Sequence, residues 1–160
     1  MAEYDYVIAS LKVKENSVFR MADLYKVMKS WFDDHNYLVL EGEYGDVDKK
    51  HTDIKWIAIQ KVDDYSNFMV EVRLKASNLE HMEVRGKKLD KGEVEVTFAS
   101  YIKSDTEDYW AGKGTSIFLR GIYDKFSLKN KMDKYHDRLK EDTYGIYDEV
   151  KSYLKLHVLK

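Results

Sequence analysis

From Tyr6 to Val13 the chain alternates, with Val7, Ala9, Leu11 and Val13 on one side and Tyr6, Ser10, Lys12 and Lys14 on the other. A period of two is that of a half-buried strand. Asn16 or Ser17 follows at a point where a side-chain oxygen caps the free N–H groups of a helix. Met21, Leu24, Val27, Met28 and Trp31 then recur at three- and four-residue spacing, with Tyr25 and Phe32 beside them. This spacing predicts an amphipathic helix from about Arg20 to His35.

Five more strands are predicted. The first is Tyr37 to Glu43, with Leu38 and Leu40 on one face, and the second is Ile54 to Val62, with Trp56 and Ala58 on one side. In the third, Phe68, Val70, Val72, Leu74 and Ala76 alternate with Met69, Glu71, Arg73, Lys75 and Ser77. The fourth covers about His81 to Leu89, and the fifth sets Val94, Val96, Phe98 and Ile102 against Glu93, Glu95 and Thr97. Asp63-Asp64-Tyr65-Ser66-Asn67 reads as a turn by composition. Asp90-Lys91-Gly92 reads as a tight hairpin turn, and Gly86 as a bulge inside a strand.

These strands are polar on one face, unlike the continuous apolar runs of a buried parallel sheet. The sheet is therefore expected to be antiparallel, with one face wet and one covered by helices. Phe118, Ile122 and Phe126 predict a helix over Thr115–Phe126, with Ser127 as a break or cap. Met132, Tyr135, Leu139, Ile146, Val150 and Leu154 sustain one stripe from about Leu128 to Leu156. Such a helix is on the order of 40 Å long, and Gly145 marks the place for a kink. The expected fold class is α+β: two layers, an antiparallel sheet of about six strands covered on one face by helices, with a long C-terminal helix. The order β-α-β-β-β-β-β-α-α fills residues 1–160 as a single domain without repeat or linker.

Composition narrows the function classes. The 160 residues are 44% hydrophobic and 35% charged, a folded rather than a disordered make-up. Lys and Arg total 27 against 29 Asp and Glu. Without a basic excess, nucleic acid is not an expected partner. No apolar run approaches the roughly 20 residues that span a bilayer. Met1-Ala2-Glu3-Tyr4-Asp5 lacks the basic flank and apolar stretch of a signal peptide, so a cytoplasmic protein is expected. The absence of Cys rules out disulfides, thiol nucleophiles and zinc-thiolate sites.

Candidate chemistry is sparse. Asp46 to Asp53 gathers three carboxylates and His51, but Lys50 stands where a calcium loop wants an oxygen ligand, so a solvated loop is expected. Ala111-Gly112-Lys113-Gly114-Thr115-Ser116 lacks the spacing of a phosphate loop and reads as a loop entering a helix. His35, His51, His81, His136 and His157 form no paired motif on one helix, and no GxSxG elbow exists. Neither a catalytic site nor a cofactor is expected, and the reading leans away from an enzyme.

Among the tryptophans, Trp31 and Trp56 fall on apolar faces and are expected in the core. Trp110 follows Asp105-Thr106-Glu107-Asp108-Tyr109 in a polar stretch, where Tyr109 and Trp110 are candidates to lid a pocket or anchor a partner. Lys113, Arg120 and Tyr123 complete that candidate set. From the next helix, Arg120 could grip a carboxylate of the Glu107–Trp110 loop by two parallel bonds and stack on an aromatic face, which lysine could not reproduce. The mixture of cations and aromatics from Lys113 to Phe126 also suits a membrane surface, but Asp124 and the net charge of -2 weigh against that contact.

The element order resembles the helix-grip architecture of the START and Bet v 1-like superfamily. In that fold an antiparallel sheet wraps a long C-terminal helix, and a cavity between them takes apolar ligands. The chain departs from it in having one helix after the first strand, six strands and two C-terminal helical segments, and no functional residue carries over. Lys61-Val62-Asp63-Asp64-Tyr65, Lys91-Gly92-Glu93 and the run Phe118-Leu119-Arg120-Gly121-Ile122-Tyr123-Asp124-Lys125-Phe126 are similar to a family of small archaeal proteins without assigned activity, which implies a cytosolic prokaryotic protein. Two readings follow. The first is a non-catalytic binding module with a small apolar ligand between sheet and helix. The second is a protein-interaction module in which the Tyr-rich sheet face or the last helix pairs with a protein partner, including a copy of itself.

Overall fold

Strict alternation from Phe68 to Ala76 and from Val94 to Phe98 builds the centre of the sheet. The protein is described by a computed structural model covering residues 3–48, 51–104 and 117–156. Its elements run β1 (Glu3–Phe19), α1 (Met21–Asp34), β2 (Leu38–Asp48), β3 (His51–Lys61), β4 (Ser66–Val84), β5 (Lys87–Ser104) and α2 (Ile117–Leu156). The fold is α+β. One five-stranded antiparallel sheet has the order β1-β5-β4-β3-β2, so four strands form a meander and β1 returns to pair with β5.

The inner face of the sheet is the core. Phe68, Val70, Val72 and Leu74 of β4 and Val94, Val96 and Phe98 of β5 are buried, together with Ile54, Trp56 and Ala58 of β3. Leu24, Met28 and Phe32 enter from α1, and Leu139, Ile146, Val150 and Leu154 from α2, as the helical stripes require. Hydroxyls tie α2 down where it crosses the sheet. Thr143 Oγ1 donates to the Leu139 carbonyl at 2.7 Å, and Ser100 and Thr143 share a hydrogen bond at 2.8 Å, for which Ser100 supplies the proton. Tyr37 donates to Asp142 at 2.8 Å, and burial beside that carboxylate raises the Tyr37 phenol well above its ordinary value. His136 on α2 pairs with Asp5 on β1. Among the described residues no helix is long and apolar enough to cross a membrane.

The strand count is five, not six, because the expected strand His81–Leu89 straddles a hairpin: its first residues end β4 and its last begin β5. β4 continues through a register shift between Ser77 and Glu80, with Asn78 in the left-handed region at φ 53°. The shift moves the buried side from Ala76 to Leu79 and breaks the alternation that marks a single strand. Asp90-Lys91-Gly92 is strand rather than turn, pairing with Phe19, Val18 and Ser17 of β1. The hairpin turns at Arg85 and Gly86 instead, with φ of 52° and 79°. Two successive positive φ values suit the right-handed twist of the flanking strands, and Gly adopts them without strain. Gly86 is thus the turn and not a bulge.

Asn16 and Ser17 do not cap α1. β1 stays paired as far as Phe19, and Ser17 Oγ donates to the Leu154 carbonyl of α2 at 3.2 Å. Arg20 occupies the cap position without a capping hydrogen bond from its side chain. The Asp46–Asp53 segment is no open loop, since residues through Asp48 extend β2 and His51 already begins β3. The two expected C-terminal segments are one helix that runs through Ser127 and Gly145 without a break. Gly145 serves packing rather than a kink: a Cβ there would stand 2.8 Å from Cζ2 of Trp31. The bare backbone lets Trp31 of α1 lie against α2.

Candidate functional site

Register determines what the outer face of the sheet presents. Residues directly opposite one another across a ladder share a face. Leu38 pairs with Ile59, Ile59 with Met69, Met69 with Tyr101 and Tyr101 with Tyr6. These five residues form an apolar row across the whole width of the sheet, on the face away from both helices. Leu40 and Ile57 adjoin it two residues further along their strands. Leu38 is 64% exposed, Leu40 48% and Tyr6 57%, whereas Met69 and Tyr101 in the middle of the row are buried.

The β1 end of the row is an aromatic cluster. Tyr101 meets Tyr4 edge-on at 5.5 Å and Tyr6 at 5.1 Å. Its hydroxyl donates to Glu71 at 3.3 Å, and burial together with that carboxylate pushes the phenol up to about 12. Lys103 Nζ lies 5.9 Å from the Tyr4 ring centre. Flat tyrosines with polar tips suit a surface that is covered part of the time.

The other half of the same face is ionic. Lys12 pairs with Glu95 at 3.2 Å and Lys14 with Glu93 at 2.8 Å. Arg73 grips Asp53 through Nε at 3.3 Å and Nη2 at 3.0 Å, and its hydrogen bonds hold that carboxyl below the usual carboxylate range. Lys55 and Lys75 form no ion pair among the described residues and line a depression of about 320 Å³ with Ser10, Glu71 and Thr97.

Two further features lie on the helix side. A groove of about 510 Å³ runs between α1 and the sheet edge, lined by Tyr25, Lys26, Lys29, Ser30, Asp33, Asp34, Glu41 and Trp56. Tyr25 stacks on Trp56 at 5.3 Å, and the indole N–H of Trp56 is buried with no acceptor among the described residues. At the β3–β4 turn, Asp63 accepts from the Tyr65 backbone N–H, Lys131 and Tyr135. Burial pushes the Asp63 carboxyl up, but those three donors outweigh it, so its value falls below the ordinary range. With its oxygens engaged this way, Asp63 is a clamp between turn and α2 rather than a catalytic base. Among the described residues no three His, Asp or Glu side chains gather into a metal-holding group.

Of the candidates read from sequence, Tyr109, Trp110 and Lys113 lie outside the described residues. Arg120 and Tyr123 stand on the first turns of α2, with their side chains outside what is described. The candidate set as a whole thus lies outside the described side chains. Trp56 is buried, as expected, and Trp31 is partly buried against the core. The outer-face row went unread. Leu38 and Leu40 do share a face, but it is the outer one. The signal was present in Ile57 and Ile59, which make β3 apolar on both faces where simple alternation predicts one.

No protein-family model matches the chain, and a search of the curated proteins finds no match either.

Proposed function

We propose that the protein is a non-catalytic interaction module that pairs with a second copy of itself through the outer face of its sheet. The observation that carries this reading is the row Leu38, Ile59, Met69, Tyr101 and Tyr6 on the face opposite the core, with Leu38 and Tyr6 exposed at its two ends. Its exposed residues lie towards the two edge strands, Leu38 and Leu40 on β2 and Tyr6 on β1, and large apolar side chains left exposed beside polar rows mark a docking surface.

Charge favours a second copy as the occupant. A two-fold axis lying along the row sets it against itself in reverse strand direction. The row holding Glu71 then faces the row holding Lys61, Asn67 and Lys103 of the other copy. Each Glu71 falls between two lysines, while the central apolar row meets itself. Three rows across five strands, at about 4.8 Å between strands and about 6.8 Å between rows, cover about 500 Å² per copy. The pair buries about 1,000 Å², the threshold for a specific interface, so the dimer is concentration-dependent. The alternative of an apolar ligand between sheet and α2 has less support. Phe98, Ile102, Leu139, Ile146 and Val150 have no exposure, whereas side chains around a water-sized void would be open to it.

Sedimentation equilibrium from about 1 µM to about 1 mM tests the reading. Wild type is expected to pass from monomer to dimer, and Leu38→Lys and Tyr6→Lys to stay monomeric with unchanged denaturant midpoints. A wild-type monomer at the top of that range, or variants that dimerise equally well, would refute it.

A further inference from the structure

On the outer face, the row next but one to the apolar row carries cations and no carboxylate. Lys55 of β3 stands directly opposite Arg73 of β4, Arg73 opposite Thr97 of β5, and Thr97 opposite Lys12 of β1. Like charges directly opposite one another destabilise a ladder, so Lys55 beside Arg73 is a cost that folding does not explain. The following row sets Lys75 between Asp53 of β3 and Glu95 of β5. Both of those carboxylates are already engaged, Asp53 by Arg73 and Glu95 by Lys12. Glu71, on the other side of the cationic row, accepts from the Tyr101 hydroxyl. Lys55 and Lys75 are exposed and form no ion pair among the described residues.

Side-chain length gives these charges a shape. The short side chains of Ser10, Thr97 and Ala99 leave a depression of about 320 Å³ among the long ones of Lys12, Lys55, Arg73 and Lys75. Lys55 and Lys75 are diagonal neighbours on β3 and β4, a spacing that long side chains span. The two strands keep unbroken register from Thr52–Ala76 to Lys61–Asn67, so both lysines stand on a rigid platform. We propose that this depression binds the phosphate group of a small, hydroxyl-rich molecule. Two ammonium groups without a counter-ion match a phosphate dianion, whose three terminal oxygens serve more surrounding donors than a carboxylate does. Ser10, Thr97 and the carboxylates of Glu71 and Glu95 supply partners for the ligand's hydroxyls. No aromatic ring lines the depression among the described residues, so it offers no platform for a nucleobase. It lies one row outside the three rows that the proposed dimer covers. It is therefore open in either oligomeric state and does not rest on that reading.

Titration calorimetry of the full chain at about 0.15 M salt tests the proposal, with glucose 6-phosphate, inorganic phosphate and glucuronate as probes. Glucose 6-phosphate is expected to bind at one molecule per chain, and inorganic phosphate to compete with it more weakly. Glucuronate, a sugar with a carboxylate in place of the phosphate, is expected to bind at least about tenfold more weakly than glucose 6-phosphate. Lys55→Gln and Lys75→Gln are each expected to lose at least about fivefold in affinity for glucose 6-phosphate. Lys140→Gln, an equal change of charge on an exposed position of α2, is expected to bind as wild type does. Lys55→Gln should also keep or raise the denaturant midpoint, because it relieves the like-charge pair with Arg73. An equal loss in Lys140→Gln would reduce the effect to bulk charge and overturn the proposal. So would unchanged binding by Lys55→Gln or Lys75→Gln, or no saturable binding up to about 10 mM. Equal affinity for inorganic phosphate would give the site to the free ion, and equal affinity for glucuronate to anions at large; either result overturns the assignment. A lower midpoint in Lys55→Gln would make that lysine a structural residue and overturn it as well.

Discussion

The two faces of this sheet are built by the same strands and do opposite work. On the inner face of β4 and β5, Phe68, Val70, Val94, Val96 and Phe98 are sealed under the helices. One residue away in sequence, the outer face divides into an apolar row and a set of ion pairs across β1, β5, β4 and β3. Alternation alone distinguishes in from out, but it does not show that the outward side has two characters. Burial energy is therefore concentrated on one face, and the association proposed above uses part of the other.

The largest effect expected from breaking this contrast is at Phe98. Phe98→Ala is expected to cost about 3–5 kcal/mol, read as a lower denaturant midpoint with an unchanged slope. A cost close to that of an outer-face substitution would mean that the strand register is wrong.

Next comes the helix contact that closes the inner face. Gly145→Val would place its Cβ against the Trp31 ring, and overpacking of this kind costs about 1–3 kcal/mol. Combining it with Trp31→Leu is expected to cost less than the sum of the two, since both act on one contact. Additive losses would separate the residues.

A smaller, pH-dependent effect sits at the Asp63 clamp. Because the folded state lowers this carboxyl, its share of stability is present above the ordinary carboxylate value near about 4 and is lost as pH falls through the depressed one. Tyr135→Phe removes one donor and is expected to cost about 1 kcal/mol at neutral pH. It should also flatten the acid limb of a stability-against-pH curve. An unchanged acid limb would exclude the Tyr135 hydroxyl as a holder of that charge.

The smallest effect is expected on the ionic half of the outer face. Glu95→Ala removes the half-buried partner of an exposed lysine, Lys12, and should stay within about 0.5 kcal/mol of wild type. Leu38→Lys should be equally neutral to folding while abolishing the dimer, which separates the apolar row from its charged neighbour on one face.

Much of the architecture was readable because period two and period 3.6 survive in β4, β5, α1 and α2. What escaped was local. Asn78 shifts the buried parity from Ala76 to Leu79, so one long strand reads as two. Arg85-Gly86 is a less obvious turn than Asp90-Lys91-Gly92, although it is the pair that adopts positive φ. Gly145 reads as a helix weakness until Trp31, distant in sequence, is seen against it. The outer-face row was unreadable for a deeper reason. A leucine pair such as Leu38 and Leu40 has the same periodicity whichever face it occupies, and only pairing across four ladders shows that Leu38 belongs to one row with Tyr6.

The return of β1 to the far side of the meander has a kinetic consequence. β2, β3, β4 and β5 pair with sequence neighbours, so their turns close short loops. β1 must wait for β5, since Glu3 meets Ser104 and Phe19 meets Asp90. It then meets the end of α2, where Ser17 reaches Leu154 across 137 residues. Contacts so distant along the chain close slowly, because loop entropy is lost before any pairing compensates for it. Docking of β1 with α2 is thus expected to be the rate-limiting event of folding, and until it happens the nascent meander exposes β5 as a free edge.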